Sequence, residues 1–346
     1  MWVTLRKRSF SSSSFSMLPT LVRRAAHPSA PSTFSIAQLN ILASNLASPD
    51  RFPYVQPELL EWETRKNILM RQLADLRADV ICLEECSDYW TFFRPSFLAL
   101  GYDSVYVKRP STHSSTWSGD KKMDGCGIFF RQDKFELKEC DSVNFRDQHD
   151  RVALLALLKE VGTKHHVLVG STHLWWNSNK VDHQMRQLVE LNDEMTQFTA
   201  ALEAKYAHQL PHGTIPVVLC GDFNNSPTSP LYHYMEKDFL SPTIAMKSAY
   251  ADYRAIDGTA ETGEPPHTTV NYRRCWTIDY IWYSPQHLQR DAILEIASEA
   301  ELRSEAGPPG WHAVANIPDD GINRNGIPNS VHGSDHVPIM ATFSFR

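Results

Sequence analysis

Six short polar motifs, each closing or following a brief apolar run, constrain this chain more than any other feature. They are Gln38-Leu39-Asn40, Leu83-Glu84-Glu85, Ser171-Thr172-His173-Leu174, Gly221-Asp222-Phe223-Asn224, Ile278-Asp279-Tyr280 and Ser334-Asp335-His336. A short apolar run bounded by turn residues is the pattern of a buried strand. A fold that accommodates such runs from one end of the chain to the other must pack them as sheets. Their polar ends then gather acids, amides and histidines at one place. That donor set suits a metal-assisted phosphate site.

The rest of the pattern fills in the class. Phe34 to Asn40 alternates apolar and polar residues, as a half-buried strand does. Strand-like runs recur at Val80–Leu83, Asp103–Val107, Gly127–Arg131, Val152–Leu158, His166–Ser171, Val217–Cys220, Thr277–Tyr283 and Ile339–Phe345. Helical spacing is found over residues 58–78, with Leu59, Trp62, Ile68, Leu69, Leu73 and Leu76 on one side, and again over 180–207. Many strands with few intervening helices predict an α/β class in which sheets stack face to face with helices outside, not a doubly wound sheet. The Gly-, Pro- and Asn-rich stretch 305–333 is expected to be a surface loop beside the site.

Composition limits function. No apolar run approaches the ~18 residues that span a membrane. No acidic residue precedes Asp50, while Arg6, Lys7, Arg8, Arg23 and Arg24 do, so a net charge of -6 leaves about -11 on the remainder. An acidic body disfavours loose binding to long nucleic acid, but not a nucleotide held locally with a metal. The Ser-, Arg- and Ala-rich residues 1–33 have the composition of a disordered basic presequence, which gives a mitochondrial address; a plain basic tail on a cytoplasmic protein is the alternative. The six cysteines show no CxxC spacing and read as reduced.

Several residues carry candidate chemistry. An acidic pair after a strand is ordinarily a solvated turn, and only the other motifs make Glu85 a metal ligand, with Glu84 its competitor on the opposite face. Asp222 and Asn224, two apart after Gly221, can face one cavity, where a carboxylate deprotonates water and an amide holds a phosphate oxygen. Asx residues also cap turns. His336 can donate to phosphate oxygens if its other nitrogen has a partner, for which Asp279 is suited. His173 is a second phosphate donor, although a strand-end histidine is ordinarily a rim residue.

Taken together, Gly221-Asp222-Phe223-Asn224 with the late Ser334-Asp335-His336 resembles the endonuclease/exonuclease/phosphatase superfamily. The likeness runs from Phe34 to the last residue. Asp124 to Phe130 and Ile278 to Ser284 are similar to its Ccr4/nocturnin branch. The resemblance implies a four-layer α/β sandwich, two packed and mainly antiparallel sheets flanked by helices, as one catalytic domain over 34–346. It implies that Asn40 orients Asp222, that Asp222 activates water and that Glu85 holds Mg²⁺ (or Mn²⁺). Asp335 would support the metal's water shell, and Asn224 and His173 would bind the phosphate. His336, paired with Asp279, would stabilise the transition state. Where deadenylases of this branch clamp adenine between a proline and an aromatic, this chain has Ser178 and Arg274. Arg274, near Arg273, Lys121 and Lys122, could stack on a base or meet a further phosphate.

The leading expectation is therefore a monomeric, Mg²⁺-dependent 3′–5′ exoribonuclease of the poly(A) deadenylase type, acting on RNA 3′ ends. The alternative is a 2′-phosphatase of NADP(H), with an adenine dinucleotide as substrate. A lipid phosphodiesterase would need an exposed apolar patch that the sequence does not show. A catalytically silent RNA-binding scaffold would not need Glu85, Asp222, Asn224 and His336 together.

Overall fold

The computed structural model describes residues 21–23, 32–110, 124–147, 150–240, 244–253, 263–304 and 325–346. Lys121 and Lys122, most of the expected presequence and residues 305–324 of the expected loop lie outside these ranges.

Two sheets form the centre. In the first, β1 (Leu21–Arg23), β2 (Thr33–Asn40), β3 (Val80–Glu84), β4 (Tyr102–Lys108), β5 (Gly125–Arg131), β14 (Leu288–Leu294) and β15 (Ile339–Phe345) lie in the order β1-β14-β15-β2-β3-β5-β4. In the second, β6 (Phe135–Asn144), β7 (Val152–Glu160), β8 (His166–His173), β9 (Val217–Asp222), β10 (Lys247–Ser248) and β13 (Asp279–Tyr283) lie in the order β10-β13-β9-β8-β7-β6. A small hairpin, β11 (Thr269–Val270) with β12 (Cys275–Trp276), is joined to the segment before β15 by a bridge from Thr269 to His336.

Each sheet has one parallel pair at its middle, β2 with β3 and β8 with β9, and is otherwise antiparallel. A parallel pair needs a crossover, and each crossover carries a helix. These are α2 (Trp62–Leu76), preceded by the single turn α1 (Pro57–Leu60), and α4 (Val181–Tyr206). Leu69 and Leu73 of α2 pack on Ala37, Leu39, Ile81 and Leu83 of the first sheet. Leu188, Leu191 and Met195 of α4 pack on Leu155, Leu168, Val217 and Leu219 of the second. Between the sheets, Phe34, Ile36, Val80, Cys82 and Ile128 meet Leu154, Ala156, Val169, Val218, Cys220 and Ile281. The layers are therefore helix, sheet, sheet, helix. Strands buried on both faces read as unbroken apolar runs, and Val80–Leu83 and Val217–Cys220 do so.

Smaller helices complete the outer layers. A wide turn over Tyr89–Phe93 runs into α3 (Arg94–Ala99). Ser229 caps α5 (Pro230–Lys237), and Ser298 with Glu301 forms a capping box on α6 (Glu299–Leu302).

Candidate active site

Because both parallel pairs end on the same side of the sandwich, four polar strand ends meet there. Asn40 and Glu84 are cross-strand neighbours in β2 and β3. His173 and Asp222 are neighbours in β8 and β9, and Asp279 lies directly opposite Asp222 in the antiparallel pairing of β13 with β9. Three residues in the left-handed region turn the chain at these ends: Leu42, Glu85 and Asn224, with φ of 56°, 53° and 52°. Side chains other than glycine rarely adopt this conformation, and such strain gathers at functional sites. Gly221 has a different reason, since a Cβ there would run into the carbonyl oxygen of Thr172 on β8.

Asp222 sits at the centre of the site. Asn40 Nδ2 donates to its Oδ2 at 3.0 Å, and the Asn224 N–H donates to its Oδ1 at 2.9 Å. His173 Nε2 and His336 Nε2 approach the same Oδ2 at 3.6 and 3.9 Å. Two carboxylates directly opposite each other on neighbouring strands repel, and the His336 ring relieves this by lying against both. Its Nδ1 is 2.8 Å from Asp279 Oδ2. Burial opposes charge on His336, but the adjoining Asp279, then Asp335 and Asp222, outweigh it and hold the imidazole well above its ordinary pKa. Burial, and then Asp279, raise the Asp222 carboxyl. His173 is pushed well below its ordinary value by burial and then by Arg151.

The surrounding residues fix these groups in place. Gln38 Nε2 donates to both Glu84 Oε2 (2.8 Å) and Asp279 Oδ1 (2.9 Å), and Thr268 Oγ1 donates to Asp279 Oδ2 at 2.6 Å. Ser171 Oγ donates to Glu84 Oε1 at 2.8 Å. Glu84 thus faces the space between the sheets, where burial pushes its carboxyl up to about 8. Glu85, turned out of the strand by its positive φ, faces the site instead. The two acids therefore point to different places, and the left-handed backbone of Glu85 just past the end of β3, not strand alternation, sets its direction.

Asp222, Asp279 and His336 each place one donor atom within 4.8 Å of the others. Both Asp279 oxygens are already hydrogen-bonded to protein donors, so this trio is better matched to moving a proton than to caging an ion. Glu85 fits a hard divalent cation better. Its Oε2 accepts the Ala43 N–H at 2.8 Å, while Oε1 accepts no hydrogen bond from the described residues and lies 3.9 Å from His173 Nδ1. Asp335 is half-buried next to His336. It acts electrostatically, together with Glu85, on the buried Arg65, whose pKa burial lowers to about 10.

Asn224 donates through Nδ2 to the Leu174 carbonyl at 3.2 Å and borders a cleft of about 520 Å³. Ser178, Pro227, Pro265 and Trp276 also line that cleft. Arg274 is exposed on the β11–β12 turn and does not line it; its guanidinium stands 4.9 Å over the Trp276 ring. Thus Asn40, His173, Asp222, Asn224, Asp279 and His336 come together with Glu85, while Arg274 lies to one side.

The polar bonds of Gln38, Thr268 and Arg65 were not foreseen from the sequence. Arg65 had a usable signal, since it lies three residues after Trp62 and four before Leu69, on the apolar stripe of α2. It donates to the carbonyls of Ile41 (3.1 Å), Leu42 (2.8 Å), Ala43 (3.4 Å) and Gly333 (2.8 Å) and so braces the loop after β2. Thr268 carried no signal.

Known proteins share the sequence pattern and the fold. Residues 37–336 match the model of the Endonuclease/Exonuclease/phosphatase family. The chain belongs to that family. Among its relatives, Nocturnin of Xenopus laevis is 29% identical over 91% of this chain and 74% of its own length. The CCR4-Not complex 3'-5'-exoribonuclease subunit Ccr4 of Candida albicans is 26% identical over 92% of this chain but only 42% of its own. Among solved structures, ANGEL2, a 2',3'-cyclic phosphatase in complex with adenosine-2',3'-vanadate, superimposes with a TM-score of 0.71 at 26% identity, covering 90% of this chain and 96% of that one.

Proposed function

We propose that this family member is a Mg²⁺-dependent phosphoesterase that acts as a 3′–5′ exoribonuclease on adenine-rich RNA ends. The observation that carries the reading is the convergence of two imidazoles on one oxygen of the buried, amide-held Asp222, whose neighbour Asn224 lines a cleft of about 520 Å³. A carboxyl whose pKa is raised towards neutrality is suited to take a proton from water near pH 7. Asn40 and the Asn224 N–H fix its orientation. His336, kept cationic by Asp279, donates to a phosphate oxygen as charge develops there. Asn224 and His173 border the place where the phosphate lies. Glu85, with Asp335 in support, would hold the metal, which when bound neutralises phosphate charge and stabilises the leaving oxygen.

For the base, Trp276 supplies an aromatic wall that position 274 lacks. It is 45% exposed and shares the cleft with Ser178 and Pro265. A nucleobase stacked on an exposed aromatic gains about 1–3 kcal/mol. The Arg274 guanidinium over the same ring favours a second reading, removal of the 2′-phosphate of NADP(H), because a cation beside the base can meet that extra phosphate. The similarity to Nocturnin and to Ccr4 supports both readings.

The test is the full chain with Mg²⁺, assayed side by side on 5′-labelled oligo(A) and on NADPH. Shortening of the RNA that EDTA abolishes is the expected result. Phosphate release from NADPH with the RNA intact would instead establish the second reading. Activity on neither would sink both.

A further inference from the structure

Among the described residues, one buried cation beside the site has no anion paired with it. Arg151, just before β7, is buried, and its Nη1 lies 3.1 Å from both Nδ1 and Nε2 of His173. A single nitrogen equidistant from both ring nitrogens is a guanidinium laid against the imidazole, not one aimed bond. Its Nε has no partner, and no carboxylate among the described residues comes within ion-pair distance of it. Arg109 nearby is a contrast. It is also buried, but Asp124 and Asp150 neutralise it at 2.9 and 2.8 Å.

A charge taken out of water without a counter-ion is strongly disfavoured. The Arg151 guanidinium stands 6.0 Å from the centre of the Trp175 ring, but its attraction to Glu85, Asp124 and Asp222 is distant and Arg109 repels it. The same His173 ring touches the reaction centre, with Nε2 3.6 Å from Asp222 Oδ2 and Nδ1 3.9 Å from Glu85 Oε1. The group that completes the charge balance has to be an anion arriving at His173.

We propose that Arg151 is a phosphate-binding residue, whose guanidinium is neutralised by a non-bridging oxygen of the substrate phosphate next to His173. This rests on the phosphoesterase reading above and adds to it a residue that none of the polar strand-end motifs contains. An arginine that served only the fold would be satisfied in the free protein. Among the described residues no carboxylate neutralises Arg151, and a bound anion would.

The difference can be measured with inorganic phosphate as the probe, on the full chain with Mg²⁺. Phosphate should raise the melting temperature of the wild type. In Arg151→Gln that rise should vanish while the phosphate-free melting temperature stays equal or increases, since an uncompensated charge has been removed. On whichever phosphate ester the wild type cleaves, Arg151→Gln should raise KM and the inhibition constant for phosphate by about tenfold or more. Arg151→Lys, which keeps the charge but not the planar fork, should fall between the two and keeps the test open if the glutamine variant does not fold. Unchanged phosphate stabilisation and KM in either variant would overturn the role of Arg151 and leave the phosphoesterase reading standing. If the wild type cleaves no phosphate ester, that reading fails, and the phosphate-induced shift alone decides whether Arg151 binds the anion.

Discussion

Asp222 and Glu84 are both buried acids, yet they make opposite demands on the protein. Asp222 faces the reaction side, and its replacement by Asn keeps the shape of the side chain while removing the base. Turnover should fall by roughly 10³-fold, with the melting temperature unchanged or higher, as parallel kinetics and calorimetry would show. Glu84 is buried between the sheets with its folded pKa raised to about 8, above the ordinary carboxyl value of 4.5. Between those two values the folded state holds a proton that the unfolded state has released. Stability is therefore lost as pH rises from about 4.5 to about 8, and the penalty is complete above that. Glu84→Gln removes the titration, and Ser171 can accept from the new amide. The variant should melt higher than wild type at pH 8 and gain little at pH 5. An equal gain at both pH values would show that Glu84 is not held neutral in the fold. A third change acts through packing. Arg65→Met withdraws the donors from the Ile41, Leu42, Ala43 and Gly333 carbonyls and should lower stability by about 3 kcal/mol, measurable by urea unfolding.

Among the elements, the central strands and the edge strand β4 (predicted as Asp103–Val107) were legible in the sequence, while β6 and β14 were not. β15 spans the predicted Ile339–Phe345, and α4 covers Val181–Tyr206 against a predicted 180–207. Helix 58–78 is broken at Glu61, whose extended backbone separates α1 from α2. β6 went unseen because it is an edge strand with an acidic, largely exposed surface and so lacks a strong apolar period. β14 is likewise interrupted by Gln289, Arg290 and Asp291, where its register with β15 shifts. At the site, the residues that end strands were readable because a polar group closing an apolar run stands out. Gln38 and Thr268 were not, since only the packing of the two sheets brings them to Glu84 and Asp279. The same distinction predicts dynamics. Amides of β2, β3, β8 and β9, at the sheet centres, should exchange with solvent most slowly, and those of β6 among the fastest of the strands. Hydrogen exchange read by mass spectrometry checks this, and slow exchange in β6 would contradict the edge assignment.

For the molecule as a whole, one geometric fact underlies the function. Two sheets, each with a single parallel pair crossed by a helix on its outer face, present their polar ends on one side. Asn40 and Glu85 come from the first sheet and His173, Asp222 and Asp279 from the second, so neither sheet holds the site alone. No helix among the described residues is long and apolar enough to cross a membrane. The cleft with Trp276 opens beside this junction, the place proposed above for a nucleotide. The most direct test of the central claim is to follow 5′-labelled oligo(A) with full-length wild type and Asp222→Asn in Mg²⁺, with and without EDTA. The account predicts stepwise shortening by the wild type, which EDTA abolishes and the equally folded variant lacks. Equal cleavage by the variant would contradict it.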